Sequence, residues 1–157
     1  MDADAWINRL NLKKHPEGGF YSEIYRNRKK IDFVNGSRNL STSIYFLLKG
    51  TDKSHFHQLF SDEIWYFHTG STVRIHQLFR GQYSFKDLGI LDRHDPQVII
   101  KAGTVFGAEV LDETSFCLMS CMVKPGFEFE DFRMVEKAEL LKNYASHQDL
   151  IERLTLE

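Results

Sequence analysis

From Phe20 to about Phe132 the chain runs in short stretches of β-branched and aromatic residues. Turn signals cut them roughly every 8–12 residues, the pattern of a β-sandwich or β-barrel. Phe20–Arg26 alternates, with Tyr21, Glu23 and Tyr25 on one face and Phe20, Ser22 and Ile24 on the other. Asn35-Gly36 signals a hairpin after Ile31–Val34. Thr42–Leu48 reads as a strand buried on both faces, and Gly70-Ser71 between Glu63–His68 and Thr72–Phe79 predicts a second tight hairpin. Further strands are expected near Tyr83–Leu88, Gln97–Lys101, Val105–Leu111 and Phe116–Val123. At the ends the period changes to that of short helices over residues 4–10, 136–144 and 148–154. The first is capped by Asp2 or Asp4, and the last by Ser146 with Asp149 three residues on. The expectation is an all-β domain over residues 1–157, with a barrel core over about 20–132 and helical termini.

Composition narrows the partners. Thirteen phenylalanines and 42% hydrophobic residues supply a core, which excludes a wholly disordered chain. A net charge of -2 argues against a general nucleic-acid binder, and the basic run Arg26–Lys30 has no interleaved aromatics on which bases could stack. The longest fully apolar run, Ile44–Leu48, is far short of the roughly 20 residues of a membrane span. The acidic start Met1-Asp-Ala-Asp leads into no apolar segment, so a cytoplasmic protein is expected. Cys117 and Cys121 lie four apart in a strand, about 13 Å and too far to pair, and read as buried free thiols.

The densest chemistry lies in residues 54–70. His55 and His57, two apart on a strand, point to one side, and Glu63 opens the next strand with Trp65 and Phe67 on its face. Two imidazoles and a carboxylate can hold a divalent metal, or act as a base with an orienting acid. A carboxylate among aromatic neighbours needs a partner, because an unpaired buried charge is costly. His57 and Glu63 are therefore the candidate catalytic pair, expected to converge within about 2.6–3.2 Å, directly or through one water.

Gly50, His55-x-His57, Glu63 and Gly70 resemble the first cupin motif, and residues 89–106, with Lys101-Ala-Gly-Thr-Val-Phe106, resemble the second. His15-Pro-Glu-Gly-Gly-Phe-Tyr-Ser-Glu23, Gly36-Ser-Arg38, Thr42–Leu48, Ser61–Trp65, Pro96-Gln97 and Val123–Phe129 resemble one cupin branch, a domain family of unknown function, over about residues 8–155. The resemblance implies a double-stranded β-helix, or jelly-roll barrel, and a homodimer, which the edge strands of an open sandwich would also favour. It implies a small-molecule ligand in the lumen, with Glu23, Tyr25, Arg38, Trp65, Gln97 and Phe106 as candidate ligand-binding residues. Shape relatives are the dTDP-sugar 3,5-epimerases, which use a histidine base and no metal.

Metal-binding cupins place a histidine three residues after the second-motif glycine, where this chain has Phe106, and five residues separate His57 from Glu63 instead of three or four. No cofactor is therefore expected. The alternative is a divalent transition metal on His55, His57 and Glu63. Three functional readings stand: a metal-independent enzyme on a small polar molecule such as a sugar derivative, a metal-dependent cupin enzyme, and a non-catalytic binding module.

Overall fold

The computed structural model describes residues 1–156 and is built mainly of strands. Helix α1 (Ala3–Arg9) is followed by β1 (Lys13–Lys14), β2 (Phe20–Arg26), the hairpin β3 (Lys30–Phe33) and β4 (Gly36–Asn39), β5 (Thr42–Lys49), β6 (Lys53–Leu59) and β7 (Asp62–Gly70). Next come β8 (Val73–Phe79), β9 (Gln82–Leu88), β10 (Gln97–Ile100), β11 (Val105–Val110), β12 (Phe116–Lys124) and β13 (Phe132–Met134). Helices α2 (Lys137–Tyr144) and α3 (Gln148–Leu154) close the chain. A six-stranded sheet of order β1-β2-β5-β12-β7-β10 faces a five-stranded sheet of order β13-β6-β11-β8-β9, the arrangement of a jelly roll. No helix among the described residues is long and apolar enough to cross a membrane.

Between the sheets lies the main core, which includes Phe46, Trp65, Ile75, Leu88, Ile100, Phe106 and Met119. Alternation places these residues inward, and each large apolar side chain so buried contributes roughly 1.5–3 kcal/mol. The outer face of the five-stranded sheet is covered by Leu140, Leu150, Ile151 and Leu154 of α2 and α3. On the six-stranded sheet, α1 lays Trp6, Ile7 and Leu10 over a smaller cluster of Leu12, Leu47 and Leu118, flanked by Phe20, Tyr45 and Phe116. Asp2 caps α1 by accepting from the Ala5 N–H at 2.9 Å. The expected Ser146 cap is absent: a single 3₁₀ turn, Ala145–His147, runs straight into α3 with no side-chain cap.

The expected Gly70-Ser71 hairpin is corrected. β7 pairs with β12 and β10 while β8 pairs with β11 and β9, so this turn carries the chain from one sheet to the other. The Ser71 N–H donates to the Phe116 carbonyl at 2.7 Å. Gly70 has φ +105°, and a Cβ there would lie 2.1 Å from the Phe116 oxygen.

Gly70→Ala is therefore expected to destabilise the fold by about 2–4 kcal/mol, combining backbone strain with displacement of β12. Urea unfolding measures this, and a loss below about 0.5 kcal/mol would contradict the close packing of the turn on β12.

Candidate active site

The loop His15-Pro-Glu-Gly-Gly19 presses against β6. Gly18, at φ +112°, passes so close that a Cβ would sit 1.9 Å from the Lys53 carbonyl oxygen. The backbone and Nδ1 N–H groups of His55 both donate to the Glu17 carbonyl, at 2.8 and 2.7 Å. Opposite this contact β6 carries a β-bulge: His57 pairs with Phe106 and Ser54 with Ala108, so two residues of β6 face one of β11. The bulge breaks the alternation, and Ser54 and His57, three apart, both reach the Glu17 carboxyl. Ser54 Oγ donates to Oε1 at 2.7 Å, and His57 Nε2 lies 3.2 Å from Oε2.

Glu17 and His57 stand in the floor of a cavity of about 340 Å³. His15, Glu17, His57, Glu63 and Cys121 contribute its polar lining, and Tyr21, Phe46, Phe127, Phe129 and Phe132 its aromatic walls. The segment Phe127–Phe132 is fastened both at the cavity rim and behind it. Arg26 spans Glu23, Asn39, Glu128 and the Phe127 carbonyl, at 2.7–3.1 Å. Arg38 holds Asp131 by two bonds of 2.6 and 2.9 Å. Lys13 at the rim has no carboxylate partner among the described residues and lies over the Tyr21 ring.

Protonation follows from the partners. The His57 Nδ1–H donates to the His55 carbonyl at 2.7 Å, which assigns the tautomer and leaves Nε2 facing Glu17. Two lone pairs at 3.2 Å would repel, so one proton is held between Glu17 and His57. Burial accounts for its place: it lowers the His57 pKa to about 4 and raises that of Glu17, both of which then favour their neutral forms. Glu63 is raised to about 8, by burial first and by the neighbouring Glu17 carboxyl second, although Trp65 Nε1–H donates to it at 2.9 Å. At neutral pH the floor therefore holds a neutral carboxylic acid beside a carboxyl–imidazole pair that shares a proton.

The sequence-predicted residues are distributed unevenly. His57 and Glu63 enter one cavity but make no direct hydrogen bond or ion pair; Glu17 takes the place expected for Glu63, because its loop reaches His57 first. Glu23 lies at the rim, tied to Arg26. Trp65 is core, supporting Glu63 from behind, and Phe106 backs the His57 ring at a centroid distance of 4.1 Å. Arg38 is a buried clasp on Asp131 outside the cavity lining. Tyr25 and Gln97 lie on the outer face: a bulge at Ile24 shifts Tyr25 out of the expected alternation, and Val98 and Ile100 take the inward positions of β10. Both cysteines are free and buried, and Cys121 borders Glu63.

The alternative metal set does not fit this geometry. The His55 Nδ1 is engaged with the Glu17 carbonyl, His57 faces Glu17, and Phe106 occupies the second-motif position. Among the described residues no three His, Cys, Asp or Glu side chains converge as a ligand set. Sequence reasoning missed Glu17 and His15. They stand in the sequence only as part of the His15–Glu23 motif that carries the resemblance, with no role assigned, and no spacing rule relates them to β6.

A family model described as cupin superfamily (DUF985) matches residues 4–135. A hypothetical protein from Leishmania major is similar over 100% of both chains, with 32% identity and a TM-score of 0.94. Protein SO0799 from Shewanella oneidensis is similar over 99% of this chain and 98% of its own, with 36% identity and a TM-score of 0.92. Oxalate decarboxylase from Bacillus subtilis aligns with 90% of this chain over 36% of its own, at 14% identity and a TM-score of 0.57, a likeness of fold alone. No curated protein matches the sequence.

The buried groups give stability two opposed pH arms. Glu63 titrates at its ordinary 4.5 when unfolded and at about 8 when folded, so the folded state holds the extra proton and stability falls as pH rises from 4.5 to 8. For His57 the unfolded state holds the extra proton, so stability falls as pH drops from 6.5 to about 4. Denaturation measured across pH is expected to show the alkaline arm flattened in Glu63→Gln and the acid arm in His57→Gln, each by roughly 2–4 kcal/mol. Parallel profiles for wild type and variants would refute the assignment.

Proposed function

We propose, from the premise that the chain belongs to the cupin superfamily in its DUF985 branch, that the cavity binds a small polar molecule and moves protons on it without a metal. The substrate class that suits it is a carbonyl-bearing sugar derivative, and the reaction an epimerisation or isomerisation. What carries this reading is the Glu17–His57 contact of 3.2 Å, buried in the same cavity as a neutral Glu63. Environments that push titratable groups apart separate an acid from a base at one pH.

The chemistry balances on these groups. The C–H bond beside the substrate carbonyl breaks, and its proton passes to a Glu17 carboxyl oxygen as the proton that Glu17 shares with His57 moves onto His57 Nε2, so Glu17 relays the proton and His57 is the final base. The pair becomes cationic as the substrate becomes an enolate, so the cavity holds an ion pair instead of an isolated charge. Glu63, as the neutral acid, donates a hydrogen bond to the enolate oxygen, which is worth most where water is excluded. Return of the proton to the neighbouring carbon gives an isomer, and delivery of a proton from water at the cavity mouth to the other face of the first carbon, with release of the pair's extra proton to solvent, gives the epimer. Phe127, Phe129 and Phe132 suit the apolar face of a sugar ring, and Lys13 suits an anionic substituent at the rim.

Incubation with a panel of keto-sugars and their nucleotide-linked forms in D₂O tests this. Wild type is expected to introduce deuterium beside the carbonyl of one of them. Glu17→Gln and His57→Gln are expected to slow that exchange by about 10²–10⁴-fold. A panel member that binds in calorimetry without exchange would favour a non-catalytic binding module. Restored exchange only on addition of a divalent metal would favour the metal-dependent reading.

A further inference from the structure

His15 lines the cavity but has no part in the proton transfer described above. It is nevertheless held firmly. Its N–H donates to the Gly19 carbonyl and its carbonyl accepts from the Gly18 N–H, both at 3.0 Å. The ring packs edge-on against Tyr21, Phe46 and Phe132, at centroid distances of 4.6, 6.0 and 5.9 Å. Its Nδ1 accepts the Glu17 backbone N–H at 3.2 Å, which assigns the ring hydrogen to Nε2. Burial lowers its pKa, so the ring is neutral at pH 7. The side chain is only 6% exposed, and Nε2 makes no hydrogen bond among the described residues. No buried side-chain nitrogen or oxygen is left unpaired among them, so Nε2 opens onto the cavity. A fixed N–H donor without a partner, on a side chain so nearly buried, marks a place for a ligand oxygen.

The chemistry calls for such an oxygen. An enolate can take its proton back at the former carbonyl carbon only if the carbon that lost the proton bears an oxygen able to become the new carbonyl. We propose, resting on the proton-transfer reading of the cavity, that the substrate is an α-hydroxy ketone or aldehyde and that His15 Nε2–H binds its hydroxyl oxygen. The carbon bearing that hydroxyl is the one that gives its proton to Glu17. The His15 ring lies beside this carboxyl, with Nδ1 3.5 Å from Oε2, so its far nitrogen stands one ring's width from the proton acceptor. As the C–H bond breaks, its electron pair forms the C=C bond of an enediolate and the carbonyl pair moves onto the oxygen served by Glu63. The hydroxyl proton passes to that oxygen, and the Glu17–His57 pair returns its proton to the former carbonyl carbon. Hydroxyl and carbonyl have then exchanged places with no net oxidation. His15 donates to a hydroxyl oxygen at the start and to a carbonyl oxygen at the end, so one N–H serves both states and strengthens as charge gathers there.

Acetohydroxamate, whose two oxygens sit on adjacent atoms as in an enediolate, is the binding probe, and acetamide, which lacks one of them, is the control. In ¹⁵N-histidine-labelled protein the His15 Nε2–H resonance is expected to shift with acetohydroxamate and to stay in place with acetamide. His15→Phe keeps a ring among Tyr21, Phe46 and Phe132 and is expected to weaken hydroxamate binding by about 10–100-fold. His15→Gln, whose amide N–H can stand near the Nε2 position, is expected to recover part of that loss. Turnover separates this inference from the reading it rests on. Each keto-sugar is paired with the analogue deoxygenated beside the carbonyl, and the wild-type preference for the hydroxyl member in D₂O exchange is expected to fall by about 10–100-fold in His15→Phe. Exchange with the same preference in wild type and His15→Phe would overturn the inference and leave the proton-transfer reading standing. Should no panel member exchange, that reading falls and the hydroxamate result decides alone. A shifted resonance then keeps His15 as the ligand donor, and an unmoved one with unweakened binding by His15→Phe overturns it.

Discussion

Burying the Glu17 carboxyl organises this molecule. A carboxyl group removed from water needs a partner for each oxygen, and here the partners come from one strand. Ser54 serves one oxygen and His57 the other, which only a bulged β6 can arrange, because regular alternation would send them to opposite faces. The bulge in turn needs a loop that can press on it, and Gly18 provides the close approach. The tight loop, the irregular strand and the lowered basicity of His57 are thus parts of one solution to a single desolvation problem.

The same problem accounts for the proton inventory. Glu63 sits near Glu17, and two ionised carboxylates at such a site would repel with little water to screen them. Neutral forms relieve the repulsion, and the aromatic walls keep the groups dry enough to stay neutral. Those walls are not self-supporting: Phe127 and Phe129 flank a segment whose acidic residues Glu128 and Asp131 are gripped by Arg26 and Arg38. Surface electrostatics here position apolar rings, and the rings set the dielectric around the buried acids and bases.

Much of the architecture was legible in the sequence because turns and alternation are local. The spacing of apolar segments marked nearly every strand, and Asn35-Gly36 marked its hairpin. Partner choice was not local. Gly70-Ser71 has the composition of a hairpin turn, yet it joins strands of different sheets, because β7 finds more distant partners in β12 and β10. Site residues failed wherever strand parity broke. Bulges at His55–Phe56, at Ile24 and at His68 each shift side chains relative to a strict two-residue period, which took His55 away from the expected metal set and Tyr25 out of the cavity. His57 and Glu63 were found because chemistry marked them; Glu17 was not, because its partner lies 40 residues away with no pattern connecting them.

The fastening of Phe127–Phe132 bears on the order in which the chain becomes competent. Arg26 binds Glu128 across a separation of 102 residues, and Arg38 binds Asp131 across 93. Contacts this distant in sequence close late, after the loop entropy between them has been overcome. A chain in which they have not closed lacks the aromatic wall of Phe127–Phe132, and with it part of the burial that shifts Glu17, His57 and Glu63. A nascent chain halted before Phe127 would carry all three residues without the wall that completes their burial. The perturbed acidities are a property of the completed fold and are absent from any intermediate that lacks its closing strand.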